Sequence, residues 1–372
     1  MSKRILIKTL SIALLWGGLS LAGIMLPAKD YSDTERRPLA SMPSYSPESV
    51  LSGEFTSQFE TYSLDQFPLR DQFRSLKAFT TLYLLNQKQV NNLYLADGYI
   101  VKAEYPLQDA MITNAANRFQ NVYDTHLADT DTQVFLSIVP DKNFFLAGEN
   151  GQPAMDYEKL VASLTDALPT MEYIDIFPTL GIKSYYYTDT HWKQETLLDC
   201  ANVLIQGMNG EVPISPLSAD LYTIQTVDAP FYGVYYGQLG LPVQPDVLSY
   251  LTNDALEACM VTNYDTGSPV EKPMYDTSKI NSKDPYELFV CGSSALVTIE
   301  NPHATTQKEL IIFRDSFSSA IAPLFMEHYA KVTLVDIRYI YPSMLSNFIT
   351  FNDQDILFLY STLVLNTSTS LK

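Results

Sequence analysis

Four short runs of this chain, VFLSIV (134–139), LIIF (310–313), VTLVD (332–336) and ILFLY (356–360), are apolar at nearly every position. A strand with one face in water alternates apolar and polar residues, so strands without that alternation must be covered on both faces. Helical spacing is predicted between the C-terminal runs, over 317–329 and 342–349, and over 107–127 ahead of the first. Strands that alternate with helices pair in parallel through crossovers. The pattern therefore predicts an α/β fold with an open, doubly wound sheet. With 46% hydrophobic residues the chain can fill such a core, which excludes wholesale disorder.

The N-terminus sets a second constraint. Residues 9–26, TLSIALLWGGLSLAGIML, carry no charge and follow Lys3, Arg4 and Lys8. The run exceeds the core of an ordinary signal peptide, and the LPAKD that follows is a poor small-x-small cleavage site. It is read as a signal anchor within residues 1–28, a single transmembrane helix with its N-terminus in the cytoplasm and the rest of the chain outside. The next block, 29–89, starts as a polar, Pro-punctuated stalk. Ser46-Pro47-Glu48 then looks like a helix start, and a second amphipathic helix is predicted over about 70–87. The third block, 90–372, is the expected catalytic domain, with an irregular insertion at about 210–301 where Pro, Gly, Tyr and Asp break the pattern.

Past residue 8 the chain holds 21 basic against 42 acidic residues. Such a surface neutralises no phosphates, which excludes nucleic acid as a partner, and it repels polyanions in general. Cys200, Cys259 and Cys291 lie far apart with no CxxC pair. That argues against a thiolate zinc site or a disulfide framework and suits three small buried hydrophobes. P-loop, GxGxxG, HExxH and GxSxG patterns are missing, and no cofactor or metal is expected.

Two segments could carry chemistry. In YYYTDTHW (185–192) an extended backbone projects Asp189 and His191 to the same side. The carboxylate could then orient one ring nitrogen and leave the other as a base. Helical spacing from Leu197 to Met208 puts His191 near a helix N-terminus, whose dipole disfavours imidazolium. A bare Asp-x-His equally serves to cap a helix, and Asp124-Thr125-His126 is a second copy without the aromatic context. The other segment, FRDSF (313–317), lies where a strand ends and a helix begins, the edge where open α/β sheets place ligands. Ser316 there is either a nucleophile, with helix-start N–H groups to hold an oxyanion, or an ordinary N-cap. Pro323 predicts a kink or early break in the helix that follows.

The run Y-x-x-T-D-x-H-W resembles the signature of the DHHW family, with Thr190 in place of the first histidine, and DQFPLRD (65–71), VPDK (139–142), FRDSF and VDIRY (335–339) follow the family's order. The resemblance implies kinship with the alginate O-acetylation proteins and an SGNH-hydrolase-like sheet with rearranged motif order, the Asp-x-His preceding the serine. It implies a serine-dependent O-acetyltransferase or acetylesterase acting on an exopolysaccharide or cell-wall glycan through Ser316, His191 and Asp189. A membrane-bound O-acyltransferase is the implied partner and acyl source. Arg314 stands where the SGNH pattern has glycine; it could hold an anionic substrate group or pair with Asp315 or Asp336. Tyr185, Tyr186, Tyr187, Trp192 and Lys142 are further candidates for substrate contact, or else core. The alternatives are a non-catalytic glycan-binding or scaffold subunit and a structural envelope protein with a vestigial site.

Overall fold

The computed structural model describes residues 3–372, so the first two residues of the expected anchor lie outside it. The chain divides into two units, Met1–Asn91 with Tyr236–Pro242, and Asn92–Tyr235 with Val243–Lys372.

The first unit opens with α1 (Lys3–Met25), long and apolar enough to span a membrane or to be a signal. A small antiparallel pair, β1 (Tyr31–Ser32) and β2 (Arg37–Pro38), precedes α2 (Pro47–Leu51), α3 (Glu54–Asp65) and α4 (Arg70–Phe79). A π-helical turn, Thr80–Leu84, prolongs α4. Ser46 caps α2 by accepting the Ser49 N–H, as the sequence suggested, but Gly53 at φ +82° then separates α2 from α3. Charge ties the helices to the hairpin: Glu35 contacts Arg70 at 2.5 Å and Arg74 at 3.3 Å, and Asp65 takes the Arg37 guanidinium at 2.6 and 2.9 Å. Burial alone would raise the Glu35 carboxyl, yet Arg70, Arg74 and Arg37 hold it below the ordinary range.

The second unit runs through β3 (Leu93–Ala96), β4 (Tyr99–Lys102), α5 (Asp109–His126), β5 (Val134–Val139), α6 (Lys142–Leu146), α7 (Tyr157–Ala167), β6 (Glu172–Tyr173), α8 (Leu198–Met208) and β7 (Thr223–Phe231). Beyond α9 (Val234–Leu239) come β8 (Asp246–Thr252), α10 (Asp254–Ala258), β9 (Met260–Asn263), β10 (Val270–Lys272) and β11 (Leu296–Glu300). The chain ends with β12 (Glu309–Arg314), α11 (Ser318–Ile321), β13 (Lys331–Val335), β14 (Asp355–Ser361) and α12 (Thr362–Leu365).

Eight of these strands form one sheet in the order β10-β9-β11-β13-β12-β14-β5-β6. The four apolar runs pair in parallel at its centre, β13 with β12, β12 with β14 and β14 with β5. Alternate residues feed two cores: Leu310, Ile312, Leu357 and Leu359 pack with α8 on one face, and Ile311, Phe313, Ile356 and Phe358 pack with α5 and α7 on the other. Both faces are covered, as runs without alternation require.

Three expectations change. The 210–301 stretch is no mere insertion, because β9, β10 and β11 extend the sheet as an antiparallel edge. These strands are three to five residues long and include Thr262, Asn263, Glu271, Lys272 and Thr298, so no apolar run announces them. The helix expected over 317–329 is one α-helical turn that passes into a 3₁₀ stretch at Ala322–Glu327, the early break that Pro323 dictates. Cys200 is buried, but Cys259 and Cys291 are only partly so, and all three are free thiols.

Phe358 is fully buried and stacks on Phe313 with ring centroids 4.7 Å apart. Phe358→Ala is expected to cost about 3–5 kcal/mol, seen as a lower Tm of the detergent-solubilised chain by circular dichroism.

Candidate active site

Ser316 follows the last residue of β12, at the carboxyl edge of the parallel strands. A neighbouring carboxylate sets the turn. Asp315 is fully buried, and its two oxygens accept the N–H of Phe317 at 3.0 Å and the N–H of Ser361, at the end of β14, at 2.8 Å. Ser316 Oγ bonds His191 Nε2 at 2.8 Å, and no backbone N–H donates to it. The hydroxyl is therefore not a helix cap.

The Asp-x-His segment is a closed loop rather than an extended strand. Tyr185 and Trp192 form an antiparallel bridge, and the Tyr186 N–H donates to the His191 carbonyl at 3.1 Å. Asp189 sits at its tip, with Oδ1 accepting the His191 N–H at 3.0 Å and lying 2.5 Å from His191 Nδ1. Oδ2 accepts the Val234 N–H at 2.8 Å. Burial would raise this carboxyl, but the His191 imidazole and the backbone donors of His191 and Val234 hold it well below the usual range. An ionised Asp189 only accepts, so Nδ1 carries the proton and Nε2 accepts from Ser316. The unbroken chain Asp189–His191–Ser316 joins residues 125 positions apart in sequence at its second link.

The helix-dipole expectation is corrected here, since α8 starts only at Leu198 and His191 does not lie at its N-terminus. The imidazole is instead sandwiched by rings: Tyr286 stacks on it at 3.9 Å with planes 6° apart, and Phe317 lies 5.0 Å away. The oxyanion expectation changes as well. The N–H groups of Phe317, Ser318 and Ser319 are occupied by Asp315 Oδ1, the Asp315 carbonyl and the Ser316 carbonyl.

Most of the residues expected to touch substrate are buried. Tyr185 and Tyr186 are fully buried, and Tyr185 donates to the Pro140 carbonyl at 2.5 Å. Trp192 is buried and donates to the Phe317 carbonyl at 2.8 Å, which fastens the loop to the serine turn. Arg314 is buried too. It donates to Ser319 Oγ at 2.6 Å and to the carbonyls of Gly292 and Ser294 at 2.9 and 3.2 Å, while Asp336 is taken by Arg338. Tyr187 is half-exposed and stacks on Tyr99 at 4.2 Å. Lys142 is buried and donates to the carbonyls of Tyr186 and Tyr187 at 3.0 and 3.2 Å, so it props the loop from behind. The second Asp-x-His lies elsewhere: His126 ends α5 and bonds the Pro342 carbonyl at 2.8 Å, and Asp124 accepts from Gln120.

Three supports escaped the sequence reading. Asp246, at the start of β8, accepts the N–H groups of Tyr187 and Thr188 at 2.7 Å each and the Thr188 hydroxyl at 2.6 Å. Gly233 donates to Thr188 Oγ1 at 2.8 Å and approaches Asp189 so closely that a Cβ there would lie 2.2 Å from the Asp189 Cβ. Tyr286 is the third. The only sequence signal was the glycine-rich GVYYGQLG run itself, since a glycine amid aromatics marks a close backbone approach.

The cavity at the site is small, about 180 Å³, and is lined by Ser316, His191, Asp189, Val234, Tyr286, Gly292, Ser293 and Ser319 with Asp284 and Glu287. Among its lining residues three are carboxylates and none is Lys or Arg.

Gly233→Ala is expected to push Asp189 from His191. The strongly deshielded Nδ1 proton of a His–Asp pair should vanish from the NMR spectrum of the variant while the β-sheet signature in circular dichroism persists. Lys142 gives a pH prediction. Burial, opposed by Asp189 and Asp246, draws its ammonium down to about 7. An unfolded lysine keeps its proton to about pH 10, so over that interval the unfolded chain binds more protons and native stability rises with pH. Urea unfolding should show this slope above pH 7, and Lys142→Met should remove it.

Residues 182–335 match the family model described as DHHW protein. Among solved structures, a DHHW family protein from Eubacterium siraeum DSM 15702 superposes with a TM-score of 0.59 at 21% identity, over 74% of this chain and 93% of that one. PatB1 from Bacillus cereus superposes with a TM-score of 0.59 at 16% identity, over 73% of this chain and 96% of that one. Its structure with a sulfonyl adduct gives a TM-score of 0.58 at 16% identity, over 73% and 95%. A comparison with curated proteins returned no match. At these identities the superpositions establish the fold, a mixed α/β architecture on a large central sheet. Asp189, His191 and Ser316 all fall inside the stretch, residues 182–335, that matches the DHHW family model.

Proposed function

We propose that this chain is an extracytoplasmic, serine-dependent O-acetyltransferase or acetylesterase acting on an exopolysaccharide or cell-wall glycan. The observation that carries the reading is the 2.8 Å contact between Ser316 Oγ and a His191 whose other nitrogen faces a buried carboxylate. Ser316 Oγ attacks the acyl carbonyl as His191 Nε2 takes its proton, and Asp189 stabilises the imidazolium that forms. That proton then leaves with the departing donor oxygen. A sugar hydroxyl or water, deprotonated by the same nitrogen, releases the acyl group from Ser316. The Ser316 N–H has no partner among the described residues and would be a backbone donor for the oxyanion.

The cavity supports a short acyl group, since drug-sized ligands occupy roughly 300–1,000 Å³ and this space is about 180 Å³. Asp284 and Glu287 line its wall and no Lys or Arg does, Glu287 being paired at 3.0 Å with Lys279, and this lining favours an uncharged glycan over a polyuronate. The resemblance to the O-acetylation proteins supplies the acetyl group and a membrane-bound O-acyltransferase as its source. Three basic residues in the first turns of α1, ahead of its uncharged run, keep the N-terminus in the cytoplasm and put the serine outside, with α1 as a retained anchor.

A sulfonyl fluoride and a chromogenic acetyl ester test the reading together. The wild-type chain is expected to be labelled at Ser316 and to turn over the ester. Ser316→Ala and His191→Ala should each abolish labelling and lower turnover by several orders of magnitude, as residues acting as a unit do. The Tm of Ser316→Ala should hardly move, because its hydroxyl caps nothing. Unchanged turnover in Ser316→Ala would leave a glycan-binding subunit in place of an enzyme.

A further inference from the structure

The helices next to the anchor present an apolar face that no described residue of the first unit covers. Leu69, Phe73 and Leu76 recur at i, i+4 and i+7 along α4 and are 61%, 43% and 58% exposed. Phe79 and Tyr83 continue the stripe into the π-helical turn, ring against ring at 5.3 Å. A row of Arg70, Arg74 and Lys77 runs beside it, the arrangement of a helix lying in a membrane interface.

Two contacts set the depth of this face. A Cβ on Gly23 of α1 would lie 3.6 Å from the Pro68 ring, so the corner between α3 and α4 packs on the end of α1. The Gln66 side chain exchanges two hydrogen bonds with the backbone of Lys29, each 2.9 Å. The uncharged run 9–26 spans about 27 Å as a helix, close to a hydrocarbon core of about 30 Å. Gly23 is three residues from the end of that run, about 4–5 Å inside the boundary. Pro68, in contact with it, therefore stands within about 5 Å of the boundary, and Leu69 starts the apolar stripe there.

We propose that the α3–α4 corner and the exposed face of α4 lie in the outer interface of the same bilayer that α1 crosses. The first unit then has a second lipid contact besides its span. The proposal rests on α1 being a membrane span and is independent of the chemistry at Ser316.

The test uses the full-length chain with Cys259 and Cys291 exchanged for Ser, reconstituted in phosphatidylethanolamine–phosphatidylglycerol vesicles. Nitroxides go singly at Leu76→Cys, at Leu14→Cys in α1 and at Glu158→Cys on α7. The expected result is that oxygen collides more often than a nickel chelate at Leu76 and Leu14, and less often at Glu158. A label at Leu76 as open to nickel as that at Glu158, with Leu14 in lipid, overturns the proposal. So does a Leu76 label shielded from both reagents, which would mean protein covers the face. A Leu14 label outside lipid overturns the proposal by removing the span beneath it.

Discussion

Phe313 pairs with Val335 on one side and Phe358 on the other, so β12 is held in parallel between β13 and β14 with both faces buried. That ladder fixes where the strand ends, and the chain must leave it at residues 314–316 on the carboxyl edge. The Asp315 carboxylate then joins the serine turn to the end of β14 through two backbone N–H groups. Burying a charge there would be costly without donors, and two charge-assisted bonds offset the loss of water. Ser316 owes its position to this bridge, and its hydroxyl stays available because Asp315 does the capping.

The other half of the site is held by a different device. The loop from Tyr185 to Trp192 belongs to no sheet, and carboxylates and backbone amides from distant segments shape it. Asp246 collects three donors from Tyr187 and Thr188, while Gly233 and Val234 supply donors to Thr188 and Asp189. Lys142 caps two carbonyls of the same loop from the opposite side. Gly233, Val234 and Asp246 thus work as a mould for the Asp-x-His segment, and Gly233 and Val234 can offer their N–H groups to it because they lie past the end of the β7 ladder.

Trp192, read as a substrate contact or else core, connects the two halves, and Arg314, read as an anion contact or an ion-pair partner, braces the serine turn. Trp192 bonds the Phe317 carbonyl, and Arg314 gathers the 292–294 turn and Ser319. Large polar-tipped side chains beside a reactive group read the same from sequence whether they face outward or inward. Burial distinguishes them here. What then lines the cavity, besides His191, Val234 and Tyr286, is small or acidic.

Sequence alone determined the parallel centre of the sheet, because apolar residues at successive positions leave no face for water. It likewise determined the serine at a strand end and the Asp-x-His spacing, which are local features, and the break at Pro323, which is covalent. The antiparallel edge was not legible, since β9, β10 and β11 are short and half polar and exist as strands only because β13 offers an unpaired side. Nor were Asp246, Gly233 and Tyr286, whose neighbours at the site lie 45 to 95 positions away. Tertiary structure decided which Asp-x-His meets the serine: Asp189 and His191 are held against the Ser316 turn with the help of a hydrogen bond from another segment, whereas Asp124 and His126 stay on a helix end where the ring bonds the Pro342 carbonyl.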